Sequence, residues 1–148
     1  MKNTHFTKQE RDVILWIRFL TAAFFVAGLV MAVSPNYFLE YLDGIGAVFF
    51  NFSNAHLESP RHEIWWALTI AFMAAMTYAC FAAQCDWLRN RNLVPVMIVG
   101  SFFSFLGLLS LVIFYPVHFF YIVGCIVDGV ICAITWYAYA QATHSRTD

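Results

Sequence analysis

The chain has 148 residues, of which 61% are hydrophobic and only 11% are charged, and its formal net charge is −1. Soluble domains carry roughly a quarter charged residues, so this composition excludes an ordinary soluble domain. A net charge this small gives no electrostatic basis for binding nucleic acid. The apolar residues are grouped into long runs, and we predict one integral membrane domain over residues 1–148.

Four apolar runs predict four transmembrane helices of about 20 residues each, the length that a hydrocarbon core of ~30 Å requires. They cover about residues 13–33, 64–85, 93–115 and 118–140. The first run contains Arg18 and lacks a clear small-residue cleavage site, so we expect a retained helix rather than a signal peptide. Because the last connection is very short, we predict an all-α, antiparallel four-helix bundle whose last two helices form a hairpin.

The basic residues predict the orientation in the membrane. Those expected on one side precede the first span, separate the second and third, or follow the fourth: Lys2, Lys8, Arg11, Arg89, Arg91 and Arg146. The opposite side carries only Arg61. Because positive charge accumulates on the cytoplasmic side, we expect both termini to lie in the cytoplasm. We expect the membrane to be a cell membrane, namely a bacterial inner membrane.

Between the first two spans, the outer segment 34–63 has its own pattern. Apolar residues recur there at spacings of three and four: Phe38, Leu42, Ile45, Phe49 and Phe52. Glu40, Asp43 and Asn51 fall between them. This pattern predicts an amphipathic segment lying in the membrane interface and broken around Gly44 and Gly46. It would either cap the bundle or form a lid or docking surface for a partner.

Two further patterns indicate how the spans are used in lipid. The second span carries an alanine at every fourth position: Ala67, Ala71, Ala75, Ala79 and Ala83. Small residues on one stripe let a neighbouring helix approach closely, so we expect this stripe to pack against another helix. Aromatic residues near the span ends, Trp87 among them, are expected to form an interfacial belt.

Asp128 is the leading candidate for a functional residue, because it is the one formal charge in the apolar run 119–140. A carboxylate at the bilayer centre costs roughly 3 kcal/mol on insertion scales, so it must be paired, protonated or facing a polar cavity. It shares one helix face with four mildly polar residues: Tyr121, Cys125, Cys132 and Thr135. Ser104 of the third span is expected at about the same depth. Asp128 therefore either bonds a serine or tyrosine structurally, or carries protons or binds a polar substrate.

Arg18 is the obvious cation to test as a partner of Asp128. It lies about 8 Å inside the cytoplasmic end of the first span. Helical side chains lean toward the helix N-terminus, so Arg18 and Asp128 would lean apart. We expect Arg18 to reach the cytoplasmic headgroups, and direct pairing with Asp128 is the alternative.

His62 and His118 are the second candidate site, because each begins a predicted span on the outer side. Two histidines at one membrane level can hold a b-type haem or, with a carboxylate, a metal ion. Histidines at the ends of spans are also ordinary interfacial residues. No hydrolase, nucleotide-binding or metalloprotease motif is present in the sequence, so we predict no enzyme and no resident metal.

These observations favour a non-enzymatic accessory or scaffold subunit of a larger membrane complex, with the bilayer and other subunits, or further copies of this chain, as its partners. The first alternative is a small carrier or proton-coupled transporter that uses Asp128, and the second is a haem-binding electron-transfer anchor that uses His62 and His118. The span count and length resemble those of the DoxX-like bacterial membrane proteins. That resemblance carries no diagnostic motif, and no site residue is inferred from it.

Overall fold

The computed structural model describes residues 6–50, 63–114 and 118–144, and this part of the chain is helical, without strands. The helices are α1 (Lys8–Val33), α2 (Pro35–Phe50), α3 (Glu63–Cys85), α4 (Trp87–Asn90), α5 (Leu93–Phe114) and α6 (Phe119–His144). Within the described residues, α1, α5, α6 and the part of α3 from Ala67 to Cys85 are long and apolar enough to cross a membrane. The four predicted spans correspond to these helices.

The first helix begins five residues before the predicted span, at Lys8 instead of residue 13. Thr7 caps it: the Thr7 hydroxyl accepts a hydrogen bond from the Glu10 backbone N–H at 3.2 Å, and the Glu10 carboxylate accepts one from the Thr7 backbone N–H at 3.0 Å. This reciprocal pair satisfies two backbone donors of the first turn. The apolar run underestimates the helix because its first turn is polar and is stabilised by capping.

The prediction of a break around Gly44 and Gly46 is wrong, because α2 continues through both glycines. Gly46 is buried against the start of α6, and a Cβ atom at that position would collide with the Cβ of Phe119. Gly44 faces open space. Glycine at position 46 therefore permits close approach between two helices. The rest of the outer segment, residues 51–62, lies outside the described residues.

The long helices contact one another in the cyclic order α1, α3, α5, α6, with the closest associations between α1 and α3 and between α5 and α6. A Cβ at Gly28 would lie 3.1 Å from the Cβ of Met73, and Thr21 is bonded to Gln84. The start of α1 therefore lies beside the end of α3, and these two helices run in opposite directions. The α2 helix packs on α6 and on α1.

The hydrophobic core lies toward the end of the bundle at which α1 begins and α6 ends. Its buried residues are Val13, Ile17, Leu20, Phe24, Met76, Cys80, Ala83, Trp87, Val94, Met97, Ile98 and Ala142. Trp87 is only 3% exposed, and its indole N–H donates to the Glu10 carboxylate at 3.3 Å. Trp87 is thus a core residue that joins the start of α1 to α4, and its expected place in the interfacial belt stays a prediction.

The alanine stripe of α3 is only partly used for packing inside the chain. Ala83 is buried and Ala79 is half-buried, whereas Ala67, Ala71 and Ala75 are exposed. The expected contact with another helix therefore exists at the end of α3 that joins the core. The first half of the stripe faces away from the other described helices.

Candidate functional site

Asp128 and Ser104 are brought together where α5 and α6 face each other. The Ser104 hydroxyl donates to a carboxylate oxygen of Asp128 at 2.5 Å, and both residues are half-buried. The two helices can approach closely here because Gly129 lies against the ring of Phe105, which a Cβ at position 129 would meet at 3.2 Å. This pair can hold the two helices together, and its carboxylate can also accept a proton.

Tyr121 belongs to a different cluster. It lies seven residues before Asp128, about 10 Å along the helix axis. Its ring packs edge-on against His118, with a centroid distance of 5.4 Å, and against Phe120. Tyr121 was grouped with Asp128 because the two share one face of α6, which does not require contact, whereas Ser104 of α5 was grouped with Asp128 by depth.

Two further polar residues of that α6 face, Thr135 and Cys132, contact other helices. The Thr135 hydroxyl, which is buried, accepts a hydrogen bond from the indole N–H of Trp16 at 2.9 Å. The Cys132 thiol lies 3.7 Å from the backbone carbonyl oxygen of Ile98 on α5. Three residues of the polar stripe, Asp128, Cys132 and Thr135, therefore contact the neighbouring helices α5 and α1. Tyr121 instead packs against aromatic residues at the start of its own helix.

Arg18 lies on the exposed side of α1, in line with the exposed Arg11 two turns earlier. Among the residues that the structure describes, no hydrogen bond or ion pair involves Arg18. The carboxylate of Asp128 is bonded to Ser104 instead. The structure does not bring Arg18 and Asp128 together, and reaching the headgroups stays a prediction.

His118 meets an acidic residue of the outer segment. Its Nδ1 atom lies 3.2 Å from one carboxylate oxygen of Asp43, and the other oxygen accepts the Phe120 backbone N–H at 3.3 Å. Asp43 of α2 thus caps the first turn of α6 and holds His118 at the same time. The sequence pattern placed Asp43 on the polar face of a surface segment. Asp43 and His118 are far apart in the sequence, and no sequence pattern predicts that they meet.

His62 lies outside the described residues, so a haem held between His62 and His118 stays a prediction. In the described parts of the chain, histidine, cysteine, aspartate and glutamate side chains do not assemble in threes into a metal site. Within the described residues, the contact of His118 with Asp43 uses the Nδ1 atom.

An open groove with a volume of about 430 Å³ runs between α1 and α3. Its walls are mainly apolar and are formed by Phe24, Phe25, Gly28, Leu29, Ile70, Ala74, Thr77, Tyr78 and Phe81. The groove extends to both sides of Gly28 along the bundle, and one of its wall residues, Phe24, also belongs to the hydrophobic core. Neither the span pattern nor the alanine stripe predicted it.

Together, the fold and these contacts define a helical protein with four candidate membrane-spanning helices, the class of multi-pass membrane proteins. No family model, no curated protein and no solved structure matches the chain.

Proposed function

We propose that this protein is a non-enzymatic accessory or scaffold subunit of a larger membrane complex. The observation that carries the proposal is the exposed half of the α3 alanine stripe, Ala67, Ala71 and Ala75. In lipid, helix association depends on close packing of small residues rather than on the hydrophobic effect. A regular stripe of small residues that faces away from the other described helices is suited to receive a helix of another subunit.

The use of polar groups within the spans supports the same role. Asp128 bonds Ser104, Trp16 bonds Thr135, and the Gln84 amide lies 3.4 Å from the Thr21 hydroxyl. Each pair joins two different helices. Polar side chains thus stabilise the bundle itself, as expected for a compact structural unit whose outer surface contacts lipid and a partner.

In the proposed arrangement, the helices form an antiparallel bundle in a bacterial inner membrane, with both termini in the cytoplasm and α2 in the outer interface. The bond between Trp87 and Glu10 supports this orientation, because it brings the turn after α3 to the start of α1. The exposed cations of those two regions, Lys8, Arg11, Arg89 and Arg91, then lie at one end of the bundle. That clustering fits a cytoplasmic end.

The experiment is an intact-complex mass measurement on untagged protein extracted from native membranes in mild detergent. We expect a mass well above 17.0 kDa, with other polypeptides released on activation. Ala71→Phe should remove those polypeptides, since its added bulk blocks close helix approach. Val130→Phe is the matched control, because Val130 is 49% exposed on α6, away from the stripe. Recovery of the wild-type chain alone would contradict the proposal.

The contact between Asp128 and Ser104 favours a second candidate, a small carrier or proton-coupled transporter. A half-buried carboxylate in a membrane-spanning helix can load and release a proton while its serine partner stays in place. In vesicles containing the purified protein, Asp128→Asn should then abolish the proton-coupled uptake of a polar substrate, while the helix content stays at the wild-type level. Uptake that is equal in wild-type and variant vesicles would remove this candidate.

A further inference from the structure

The groove between α1 and α3 continues toward a cation. The exposed residues Arg18, Ala22, Phe25 and Leu29 follow one another at spacings of four, three and four, so they share one face of α1. Phe25 and Leu29 are 59% and 54% exposed and form part of the groove wall. The apolar wall of the groove therefore extends along α1 to Arg18.

The opposite wall, on α3, is compatible with an apolar chain. It is formed by Ile70, Ala74, Thr77, Tyr78 and Phe81. The Thr77 hydroxyl donates to the Met73 backbone carbonyl at 2.7 Å, so the proton of this hydroxyl is already used in a hydrogen bond within α3. The groove thus offers hydrocarbon contact along its length and an exposed guanidinium beyond one end.

An arginine on the lipid side of a membrane helix is stabilised when its guanidinium reaches water or an anionic headgroup. The free-energy cost of placing an arginine in a membrane helix is highest at the helix centre and falls when the side chain reaches the headgroups. Helical side chains tilt toward the helix N-terminus, so Arg18 leans toward Arg11, whose Cα lies about 10 Å away on the same face. Both guanidinium groups are therefore directed to the same headgroup region.

We propose that this face of α1 and α3 binds one anionic phospholipid, with its phosphate on Arg18 and Arg11 and one acyl chain in the groove. The planar guanidinium fork matches the geometry of a phosphate. The helix rises about 16 Å from Arg18 to Leu29, about half of a hydrocarbon core of ~30 Å. A chain whose phosphate is held near Arg18 therefore reaches the groove within one leaflet.

This inference goes beyond the proposed subunit role and does not depend on it. Ala74 belongs to the groove wall, whereas Ala71 and Ala75 lie on the adjacent exposed face of α3. The lipid measurement uses the isolated protein. Absence of partner polypeptides in native membranes would therefore leave this inference intact.

The test is native mass spectrometry of the purified full-length protein in detergent, titrated with phosphatidylglycerol or with phosphatidylcholine. At the same lipid concentration, we expect the protein to retain one molecule of phosphatidylglycerol and to lose phosphatidylcholine. Arg18→Gln should weaken retention of phosphatidylglycerol about tenfold, because a charge-assisted phosphate contact is removed. Arg91→Gln should bind as the wild type does, since Arg91 is an exposed arginine near the end of α4, away from the groove.

A second variant tests the groove separately from the charge. Ala74→Phe should fill the groove and reduce retention of phosphatidylglycerol, whereas Val130→Phe adds the same ring to an exposed position of α6 and should not. Equal retention of the two lipids, or equal retention by wild type and Arg18→Gln, would overturn the proposal. So would displacement of the lipid by inorganic phosphate alone. Loss of a copurifying polypeptide in Arg18→Gln, with lipid retention unchanged, would assign Arg18 to a partner's carboxylate instead.

Discussion

Two carboxylates illustrate how this chain handles charge at the scale of single residues. Glu10 is only 2% exposed and accepts hydrogen bonds from the Thr7 backbone and the Trp87 indole. Asp128 accepts one from the Ser104 hydroxyl. A buried carboxylate is tolerated when donors surround it, and both residues have donors supplied by another element of the fold. Ser104 was predicted from depth alone, whereas Trp87 was not, since its indole was assigned to the membrane interface.

Ser104→Ala should lower the free energy of unfolding by about 1 kcal/mol, because interhelical hydrogen bonds in membrane proteins contribute ~0.6 kcal/mol on average and up to ~1.7 kcal/mol. Ser110→Ala is the matched control on α5, since the Ser110 hydroxyl bonds the Gly107 carbonyl of its own helix. Thermal unfolding in detergent measures both. A double-mutant cycle with Asp128→Ala, which removes the acceptor, should show coupling between positions 104 and 128, and strictly additive effects would show that the bond contributes nothing to stability.

At the scale of elements, α2 is attached to α6 by one carboxylate and one glycine. Asp43 bonds both His118 and the Phe120 backbone N–H, and Gly46 lets the α2 backbone lie against Phe119. The predicted amphipathic segment did contain a helix, and its spacing of apolar residues was sufficient to indicate one. The prediction of a break was wrong because glycine has a low helix propensity, and the sequence does not show that Gly46 lies against Phe119.

Gly46→Leu should separate α2 from α6, since the added side chain would overlap Phe119. Backbone amides of α2 should then lose hydrogen-exchange protection by about tenfold or more, as local opening becomes easier. Gly44→Leu is the matched control, because a Cβ at position 44 meets open space. Equal protection in the two variants would mean that Gly46 does not determine the attachment.

At the scale of the whole molecule, the packing is uneven. The core lies at the end where α1 begins, α3 ends, α5 begins and α6 ends. The groove begins beside the core residue Phe24, and the exposed half of the alanine stripe lies toward the other end of the bundle. A membrane protein need not bury its apolar side chains internally, because lipid tails are as apolar as a core. These less packed surfaces are therefore where lipids and partner helices are expected to bind.

Cysteine labelling tests the proposed orientation of the molecule. Cys85 is exposed at the end of α3, next to the turn that carries Arg89 and Arg91, whereas Cys80 and Cys125 are buried. In inverted membrane vesicles, a membrane-impermeant maleimide should label Cys85, and in intact cells it should not. Cys85→Ala should abolish the signal. Labelling in intact cells would place this end of the bundle outside and reverse the orientation.

The sequence by itself determined that the chain is helical and which four segments are long and apolar enough to cross a membrane, because both depend on local runs of residues. Only the tertiary structure decided the partners of the polar groups. Glu10 meets Trp87, Asp43 meets His118, and Trp16 meets Thr135, each pair far apart in the chain. Such pairs depend on the order of the helices and on the rotation of each about its axis. A hydropathy pattern that is apolar on every face of a membrane helix does not specify that rotation.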